Sequence, residues 1–486
     1  MARVEALSLI LLEKLDHETT DELWRWFQKP LKILRLTLGR TALPTLHYVW
    51  CGVVGMCATL QELHVLVEGY EDWGGVEWVT AGDALGCFDR LTHLSLKGFV
   101  EGVPELLPRS MKRMPRLLHL RIESISEAHQ LLHLRCLSSL EQLQLEVLDM
   151  NKGMLGEVLE LLASLSALST LELVDITGRH EGPSLQLETP LWPVLDEHSS
   201  RYSTFPDFHV PCCTFEGRFK DVTVLIQHVT GLEELSIKMP AYMPMEESSR
   251  AIARYVVVHH SKSLRKLDLT LGTPATWAED SPRDFLGLGM EELLQLRHLS
   301  AFRLLLTWSS RRSRSFMISI DDMWAMSTAW PVLERLVCGT DAPHALTLPA
   351  DPGLGAPSIL SLKDVLVLLP NWPTLRHLGV DCLSIEDFWN IPIWCNQLIS
   401  LDIICAYLDR MAPLLGLHRS LRRLKGPQGE TFTKVRIHRL MGAPGQPEPS
   451  FERMQNDWAQ LAYLVKAYRE DGSISVSPLE SATLPA

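Results

Sequence analysis

The stretch Leu140-Glu141-Gln142-Leu143-Gln144-Leu145 decides the fold, because its spacing of apolar residues returns along most of the chain. In this phrase an apolar residue is followed three positions later by a second one, usually Leu, and two positions after that by a third. The phrase begins at Val4, Leu31, Leu60, Leu91, Leu117, Leu140, Leu168, Phe205, Leu232, Leu264, Leu299, Leu333, Leu375, Leu398 and Leu421. Its mean spacing of about 30 residues predicts a solenoid of stacked repeats rather than a globular core.

Stretches with helical periodicity separate the phrases, including residues 154–162, 219–226 and 362–369. Each repeat is therefore predicted to contain a helix, a short turn and a short strand. Because a helical crossover separates each strand from the next, the strands should lie parallel in one sheet. The predicted fold class is α/β: a leucine-rich-repeat solenoid, horseshoe- or arc-shaped, with the parallel β-sheet on the concave face and helices on the convex face.

The alternation of side chains along each strand predicts which residues face a partner. The second and third apolar residues of a phrase point into the core, and the residues around them point to the concave face. The candidate partner-binding residues are His93, Ser95, His119, Arg121, Gln142, Gln144, Thr170, Glu172, Asp207, His209, Glu234 and Ser236. Fifteen strands at roughly 4.8 Å would line an inner arc of about 70 Å, which suits a protein or an extended peptide better than a small metabolite.

The two ends of the chain differ in their patterns. Residues 1–425 are predicted to form the irregular leucine-rich-repeat solenoid. Residues 426–486 are predicted to form a C-terminal cap helix, from Phe451 to Arg469, and a disordered tail. At the other end, a phrase that begins at Val4 leaves no room for a polar cap. We therefore expect either a further segment upstream or a first repeat that is exposed to a partner.

Charge and cysteine content narrow the class of protein. The 486 residues carry a net charge of -13, which argues against a nucleic-acid partner because phosphates require a basic face. The one dense basic patch, Arg311-Arg312-Ser313-Arg314, is predicted to be a solvated loop or else a localisation or phosphate-binding element. No apolar run approaches the length of a membrane span. The 10 cysteines show no CxxC spacing, which favours reduced thiols and a cytoplasmic or nuclear location.

Signatures of catalysis are absent from the sequence. It contains no GxSxG elbow, no GxxxxGK[ST] loop and no complete dinucleotide motif. His93, His119 and His377 share one repeat position and suggest either metal ligands or contact residues on the concave sheet. Contact residues are the favoured interpretation, because His377 is many repeats away and no third ligand converges on the other two. The chain is predicted to be no enzyme and to bind neither metal nor cofactor.

Several short phrases carry a family resemblance. They are Leu117-Leu118-His119-Leu120, Leu296-Arg297-His298-Leu299, Leu375-Arg376-His377-Leu378, Trp192-Pro193, Trp330-Pro331 and Trp372-Pro373. Together with the uneven repeats, they resemble the divergent leucine-rich regions of F-box proteins from mushroom-forming (basidiomycete) fungi. The resemblance covers residues 1–425.

The resemblance implies the substrate-recognition part of an F-box type (cullin-RING) ubiquitin ligase. In that family an F-box binds the ligase adaptor, and the repeats bind the protein substrate on the concave face. The F-box pattern, Leu-Pro followed by a helix and a downstream Trp, is not recognisable before residue 30. An adaptor would therefore bind through a missing or unrecognised N-terminal segment. The alternative is a leucine-rich-repeat scaffold with no ubiquitin-ligase role; both interpretations involve protein partners, with no nucleic acid and no membrane.

Overall fold

The computed structural model describes residues 5–11, 22–23, 25–27, 29–39, 53, 56, 58–67, 88–97, 114–125, 128–148, 150, 152–175, 201–239, 245–273, 285–308, 318–340, 360–384, 400–408, 434–442 and 474–476. The chain divides into two compact units. The first unit is Met1–Glu181 with Leu191–Leu232, and the second unit is Gly182–Pro190 with Glu233–Ala486.

A parallel sheet runs through the first unit. Its strands, in spatial order, are β1 (Ala6–Leu11), β2 (Ile33–Leu38), β3 (Glu62–Val67), β4 (His93–Lys97), β5 (His119–Ile125), β6 (Gln142–Val147), β7 (Thr170–Asp175) and β9 (Cys212–Glu216). Two short strands, β8 (Phe208–His209) and β10 (Val229–Thr230), pair with each other outside this sheet. Helix α1 (Lys152–Ser164) connects β6 to β7 and packs against a 3₁₀ helix, Ala128–Cys136, while α2 (Phe219–His228) follows β9.

The second unit repeats this arrangement. Its parallel strands follow chain order: β11 (Glu234–Met239), β12 (Lys266–Thr273), β13 (Ala301–Trp308), β14 (Arg335–Thr340), β15 (His377–Ser384), β16 (Ser400–Leu408), β17 (Lys434–Gly442) and β18 (Ile474–Val476). The connections contain α3 (Met245–His260), α4 (Ile320–Ala329), α5 (Leu362–Leu368) and the 3₁₀ helices Leu286–Leu288, Glu291–Gln295 and Leu369–Asn371.

The predicted register is confirmed for most repeats. A strand begins two residues after each predicted phrase start, except at Phe205, and the phrase at Leu421 lies outside the described residues. In β6 the alternation is as expected, because Leu143 and Leu145 are buried while Gln142 and Gln144 are not. The predicted α/β leucine-rich-repeat fold class is thereby confirmed: parallel strands alternate with helical connections, and strands such as β2 and β6 bury every second side chain.

A turn recurs before several strands. There the backbone N–H of the first residue of a phrase donates to the carbonyl three residues earlier, for example Leu140 to Leu137 at 3.0 Å and Leu333 to Trp330 at 3.2 Å. The residue that supplies this carbonyl is itself buried. In the second unit Trp330 and Trp372 hold this position, and the proline after each tryptophan suits the turn because its φ is fixed. At these two positions the tryptophan is therefore a core anchor, and the proline after it lies in the turn.

Helix α4 begins with a buried carboxylate. Ser319 Oγ accepts from the Asp322 N–H at 3.0 Å, and Asp322 Oδ2 accepts from the Ser319 N–H at 2.9 Å, which forms a capping box. Asp322 also accepts from the backbone N–H groups of Phe285 at 3.1 Å and Leu286 at 3.0 Å. One side chain therefore caps a helix and holds the neighbouring 3₁₀ helix in place.

The sheet extends past residue 425, the last residue of the predicted solenoid. β17 pairs parallel with β16, with Leu401 opposite Val435 and Ile403 opposite Ile437, and β18 pairs with β17. The predicted cap helix from Phe451 to Arg469 lies outside the described residues. Two strands of the repeat type thus fall in the range for which a cap helix and tail are predicted.

Candidate functional site

The candidate site is the face of the first unit's sheet whose side chains alternate with the core residues, which we call the open face. From β3 to β9 it comprises Glu62, His64, Leu66, His93, Ser95, Lys97, His119, Arg121, Glu123, Gln142, Gln144, Glu146, Thr170, Glu172, Val174, Cys212, Thr214 and Glu216. Most of these side chains are polar, and the positions between them are apolar and buried. The strand register therefore displays a continuous polar surface.

Eight of the predicted partner-binding residues come together here. They are His93, Ser95, His119, Arg121, Gln142, Gln144, Thr170 and Glu172, on four consecutive strands. His93 lies opposite His119 on the next strand, and Gln144 lies opposite Glu172. Their role in binding stays a prediction. Glu234 and Ser236 lie on β11 and belong to the second unit.

The predicted placement of Asp207 and His209 in this sheet is wrong. The short strand Phe208–His209 pairs with Val229–Thr230, which directly follows α2. Asp207 Oδ1 lies 3.2 Å from His228 Nδ1. The sheet strand of this repeat is β9, which pairs with β7. The strand that sequence reasoning missed places Cys212, Thr214 and Glu216 on the open face. The sequence does contain the apolar pattern of this strand: Val210, Cys213 and Phe215 have the spacing of the phrase and are buried, but none of them is leucine.

A pair of stacked histidines lies near the middle of the open face. The rings of His93 and His119 are 4.0 Å apart between centroids and 8° from parallel. His93 Nδ1 lies 2.8 Å from Thr92 Oγ1, and that hydroxyl donates its hydrogen to the carbonyl of Gln61 at 3.1 Å. Since the hydroxyl hydrogen is used, His93 Nδ1 must donate to Thr92 Oγ1. Burial and the neighbouring His119 lower the pKa of His93 below its ordinary value, although Glu62 acts in the opposite direction.

Two cations of the open face converge on one carboxylate. Arg121 donates to Glu123 Oε1 through Nη2 at 2.8 Å and through Nε at 3.2 Å. Lys97 Nζ lies 3.4 Å from the same oxygen. On β3, His64 Nε2 lies 3.7 Å from Glu62 Oε2. The positive charges on β4 and β5 are therefore already engaged within the sheet.

Charge changes along the open face. On β3 to β5 acidic, basic and imidazole side chains are mixed. On β6, β7 and β9, the described open-face positions include Glu146, Glu172 and Glu216 and no lysine or arginine. Gln142 is exposed beside them. This part of the surface combines negative charge with amide groups that donate and accept hydrogen bonds.

The corresponding face of the second unit pairs its charges across strands. Lys266 Nζ lies 2.5 Å from Glu234 Oε1, and Arg303 Nη1 lies 2.9 Å from Asp268 Oδ2. Leu305 on the same face is only 7% exposed. The charged groups on β11 to β13 are thus largely satisfied by one another.

The chemistry available to the described residues is limited. Within the ranges given above, no three His, Cys, Asp or Glu side chains are grouped to hold a metal ion, so the His93–His119 pair has no third ligand there. Burial raises the pKa of the Cys213 thiol, which keeps it protonated and a poor nucleophile. In the same part of the chain, no helix combines the length and apolar character needed to cross a membrane.

Comparisons with known proteins return structures of the same kind of repeat. The chain is similar to a leucine-rich-repeat protein of Leptospira interrogans, with 13% identity and a TM-score of 0.32, over 88% of this chain and 92% of that one. It is also similar to the leucine-rich repeat-containing protein LegL7 from Legionella pneumophila, with 12% identity and a TM-score of 0.35, over 76% of this chain and 100% of that one. No protein-family model and no curated protein matches the chain.

Proposed function

We propose that this chain is a protein-interaction scaffold and that the open face of the first unit is its binding surface. The supporting observation is the polar surface on consecutive parallel strands, with donors and acceptors at matched positions in each strand. The six strands from β3 to β9 span about 24 Å, which corresponds to an extended segment of about seven residues. The proposal assigns no chemical step to this chain.

The strand-by-strand pattern favours a polypeptide over a small molecule as the ligand. Gln142, Gln144 and Thr170 offer amides and a hydroxyl that serve as both donors and acceptors, as a peptide backbone requires. These residues lie on a sheet whose other face is packed into the core, for example through Leu143 and Leu145. Contact groups on a packed sheet are positioned at little entropic cost to binding.

Affinity capture with a matched pair of variants tests the proposal. The double substitution Gln142→Arg and Gln144→Arg adds bulk and charge to the centre of the open face without touching the core. The control is Gln295→Arg, an exposed residue in a 3₁₀ helix of the second unit. We expect recovery of specific partners to fall about tenfold or more in the double variant, as for truncated interface hot spots, and to stay unchanged in the control. Equal recovery by the double variant and the wild type would overturn the proposal.

We propose further that the chain is the substrate-recognition part of an F-box type (cullin-RING) ubiquitin ligase. The partner on the open face is then a substrate of that ligase. This proposal rests on the resemblance of phrases such as Leu375-Arg376-His377-Leu378 to the fungal F-box family. Pull-down of purified ligase adaptor by the full chain tests it. Saturable binding of the adaptor supports the ligase role. Absence of binding contradicts a ligase role for this chain and leaves the scaffold with no such role.

The proposal places the interaction in the cytoplasm or nucleus. Cys136, Cys212, Cys213 and Cys338 are thiols, as expected in a reducing compartment. Fluorescence microscopy of the tagged chain checks this location. Secretion into the medium would contradict it.

A further inference from the structure

The hydrogen bonds of Thr92 determine the state of the stacked imidazole beside it. Thr92 Oγ1 donates to the Gln61 carbonyl at 3.1 Å, so its lone pair receives the Nδ1–H of His93 at 2.8 Å. In a neutral imidazole only one ring nitrogen carries a hydrogen. Nε2 of neutral His93 is therefore a hydrogen-bond acceptor, at the end of the ring opposite Thr92.

The surroundings of His93 favour this neutral form. The groups that face it are Glu62 and His64 on β3, Lys97 on its own strand, and His119, Arg121 and Glu123 on β5. A proton on His93 would lie against the parallel ring of His119 at 4.0 Å. The nearby cations Lys97 and Arg121 share the single carboxylate of Glu123. Glu62 is the other carboxylate around the pair, and its Oε2 lies 3.7 Å from His64 Nε2.

The rest of the open face carries an excess of negative charge. From β3 to β9 its carboxylates are Glu62, Glu123, Glu146, Glu172 and Glu216, and its cations are Lys97 and Arg121. The whole chain has the same sign, with a net charge of -13. Charge complementarity therefore favours a positively charged partner, which long-range attraction would bring to the surface more quickly.

We propose that the open face binds a basic segment of its partner protein, with an arginine or lysine side chain donating a hydrogen bond to His93 Nε2 beside Glu62. Further basic side chains of that segment lie over Glu172 and its neighbours on β6 to β9. The inference rests on the proposed function and specifies the chemistry of the partner. It also makes binding depend on pH, because protonation converts His93 Nε2 from an acceptor into a donor.

The direction of the pH effect follows from the state that binds. The basic segment prefers neutral His93, so its affinity falls as pH decreases below the ordinary histidine value of 6.5. A decrease in affinity between neutral and mildly acidic pH therefore reports on protonation of His93.

Fluorescence anisotropy with two labelled peptides and the full chain tests the inference. The peptides have about 12 residues, alternate serine with either arginine or glutamate, and are long enough to cross the strands. At about pH 7.5 and low salt we expect the arginine peptide to bind at least tenfold, or about 1.4 kcal/mol, more tightly than the glutamate peptide. Between about pH 7.5 and about pH 5.5 its affinity should fall severalfold in the wild type, and by less than the roughly tenfold loss that an unshifted histidine would give, because the pKa of His93 is lowered. In His93→Gln the affinity should stay within about twofold over this range, because glutamine does not take up a proton.

Two charge-neutralising variants separate attraction by the open face from attraction by the net charge of the whole chain. Glu62→Gln with Glu172→Gln should weaken the arginine peptide about tenfold, whereas Glu291→Gln, on an exposed side chain of the second unit, should leave it within about twofold. Preference for the glutamate peptide, no binding of the arginine peptide, equal effects of the two neutralisations, or an unchanged pH dependence in His93→Gln would each overturn the inference. Failure of the proposed function has a different signature: the Gln142→Arg and Gln144→Arg double variant would still recover every partner that the wild type captures.

Discussion

The open faces of the two units share one strand register and differ in how they use their charges. In the second unit, Glu234 with Lys266 and Asp268 with Arg303 pair across neighbouring strands. In the first unit, the stacked pair of His93 and His119 lies beside strands on which the open face has carboxylates and no basic residue. The repeat fixes where side chains point, and the residue at each position decides which charge a face presents.

The cores beneath the two faces fill one turn position with residues of different size. At the turn before the strand, that position holds Phe88 and Leu137 in the first unit and Leu296, Trp330 and Trp372 in the second. Trp330 contacts Phe285 and Phe302, with ring centroids 6.2 Å and 4.9 Å away, and its Nε1 donates to the Leu293 carbonyl at 3.2 Å. Trp330 is therefore an anchor of the second unit's core.

The largest effect is expected from removing such an anchor. Trp330→Ala should lower the free energy of unfolding by about 3–5 kcal/mol, because it opens a cavity among aromatic rings and leaves the Leu293 carbonyl without its donor. Trp324 on α4 is 49% exposed, and Trp324→Ala is the matched control with an expected cost of about 0.5 kcal/mol. Urea denaturation monitored by circular dichroism gives both values. Similar losses in the two variants would show that Trp330 is not a core anchor.

A smaller loss is expected at the start of α4. Asp322→Ala should destabilise the chain by about 2–3 kcal/mol, because the N–H groups of Ser319, Phe285 and Leu286 lose a charged acceptor and the bond to Phe285 is buried. Neighbouring Asp321 is exposed, so Asp321→Ala serves as the control. Hydrogen exchange of the Phe285 and Leu286 amides should increase only in Asp322→Ala. Unchanged protection of these amides would contradict their dependence on the carboxylate.

How much of this could be read from the sequence depends on leucine. Where Leu fills the phrase, as at Leu140 or even the irregular Leu333, the strand starts at the predicted residue. The strands that the leucine pattern does not find have other residues at its apolar positions: Val210, Cys213 and Phe215 at β9, and Val435 and Ile437 at β17. A search for leucine does not detect these strands.

The candidate site was predictable only in its positions. Alternation along the strands and equal register bring His93 and His119 to neighbouring strands. The ring stacking, the convergence of Lys97 and Arg121 on Glu123, and the donation to Thr92 depend on rotamers that the sequence pattern does not specify.

The ion pairs of the second unit should contribute little to stability. Arg303→Ala removes an exposed cross-strand pair with Asp268 and should cost less than about 1 kcal/mol of unfolding free energy. Partner capture should stay at the wild-type level, in contrast to the open-face variants of the first unit. A loss of capture in Arg303→Ala would place the binding surface on the second unit. Urea denaturation and the capture assay on the same preparations provide the comparison.

The smallest effect concerns pH. Because the pKa of folded His93 lies below its ordinary value, the unfolded chain binds more protons at this site in the range just below pH 6.5, and stability falls as pH decreases through that range. His93→Gln should therefore show a shallower decrease in the unfolding midpoint between neutral and mildly acidic pH. His298→Gln, at an exposed histidine of the second unit, is the control. A slope in His93→Gln equal to that of the wild type would contradict the burial of a neutral imidazole.

Site-specific photo-crosslinking addresses most directly the claim that the first unit's open face is the binding surface. A photo-reactive amino acid is placed either at position 144, on β6, or at position 337, on the equivalent face of β14, and each chain is irradiated with the partner that the wild type captures. We predict partner adducts from position 144 and none above background from position 337. Adducts from position 337 alone, or in equal yield from both positions, would contradict that claim.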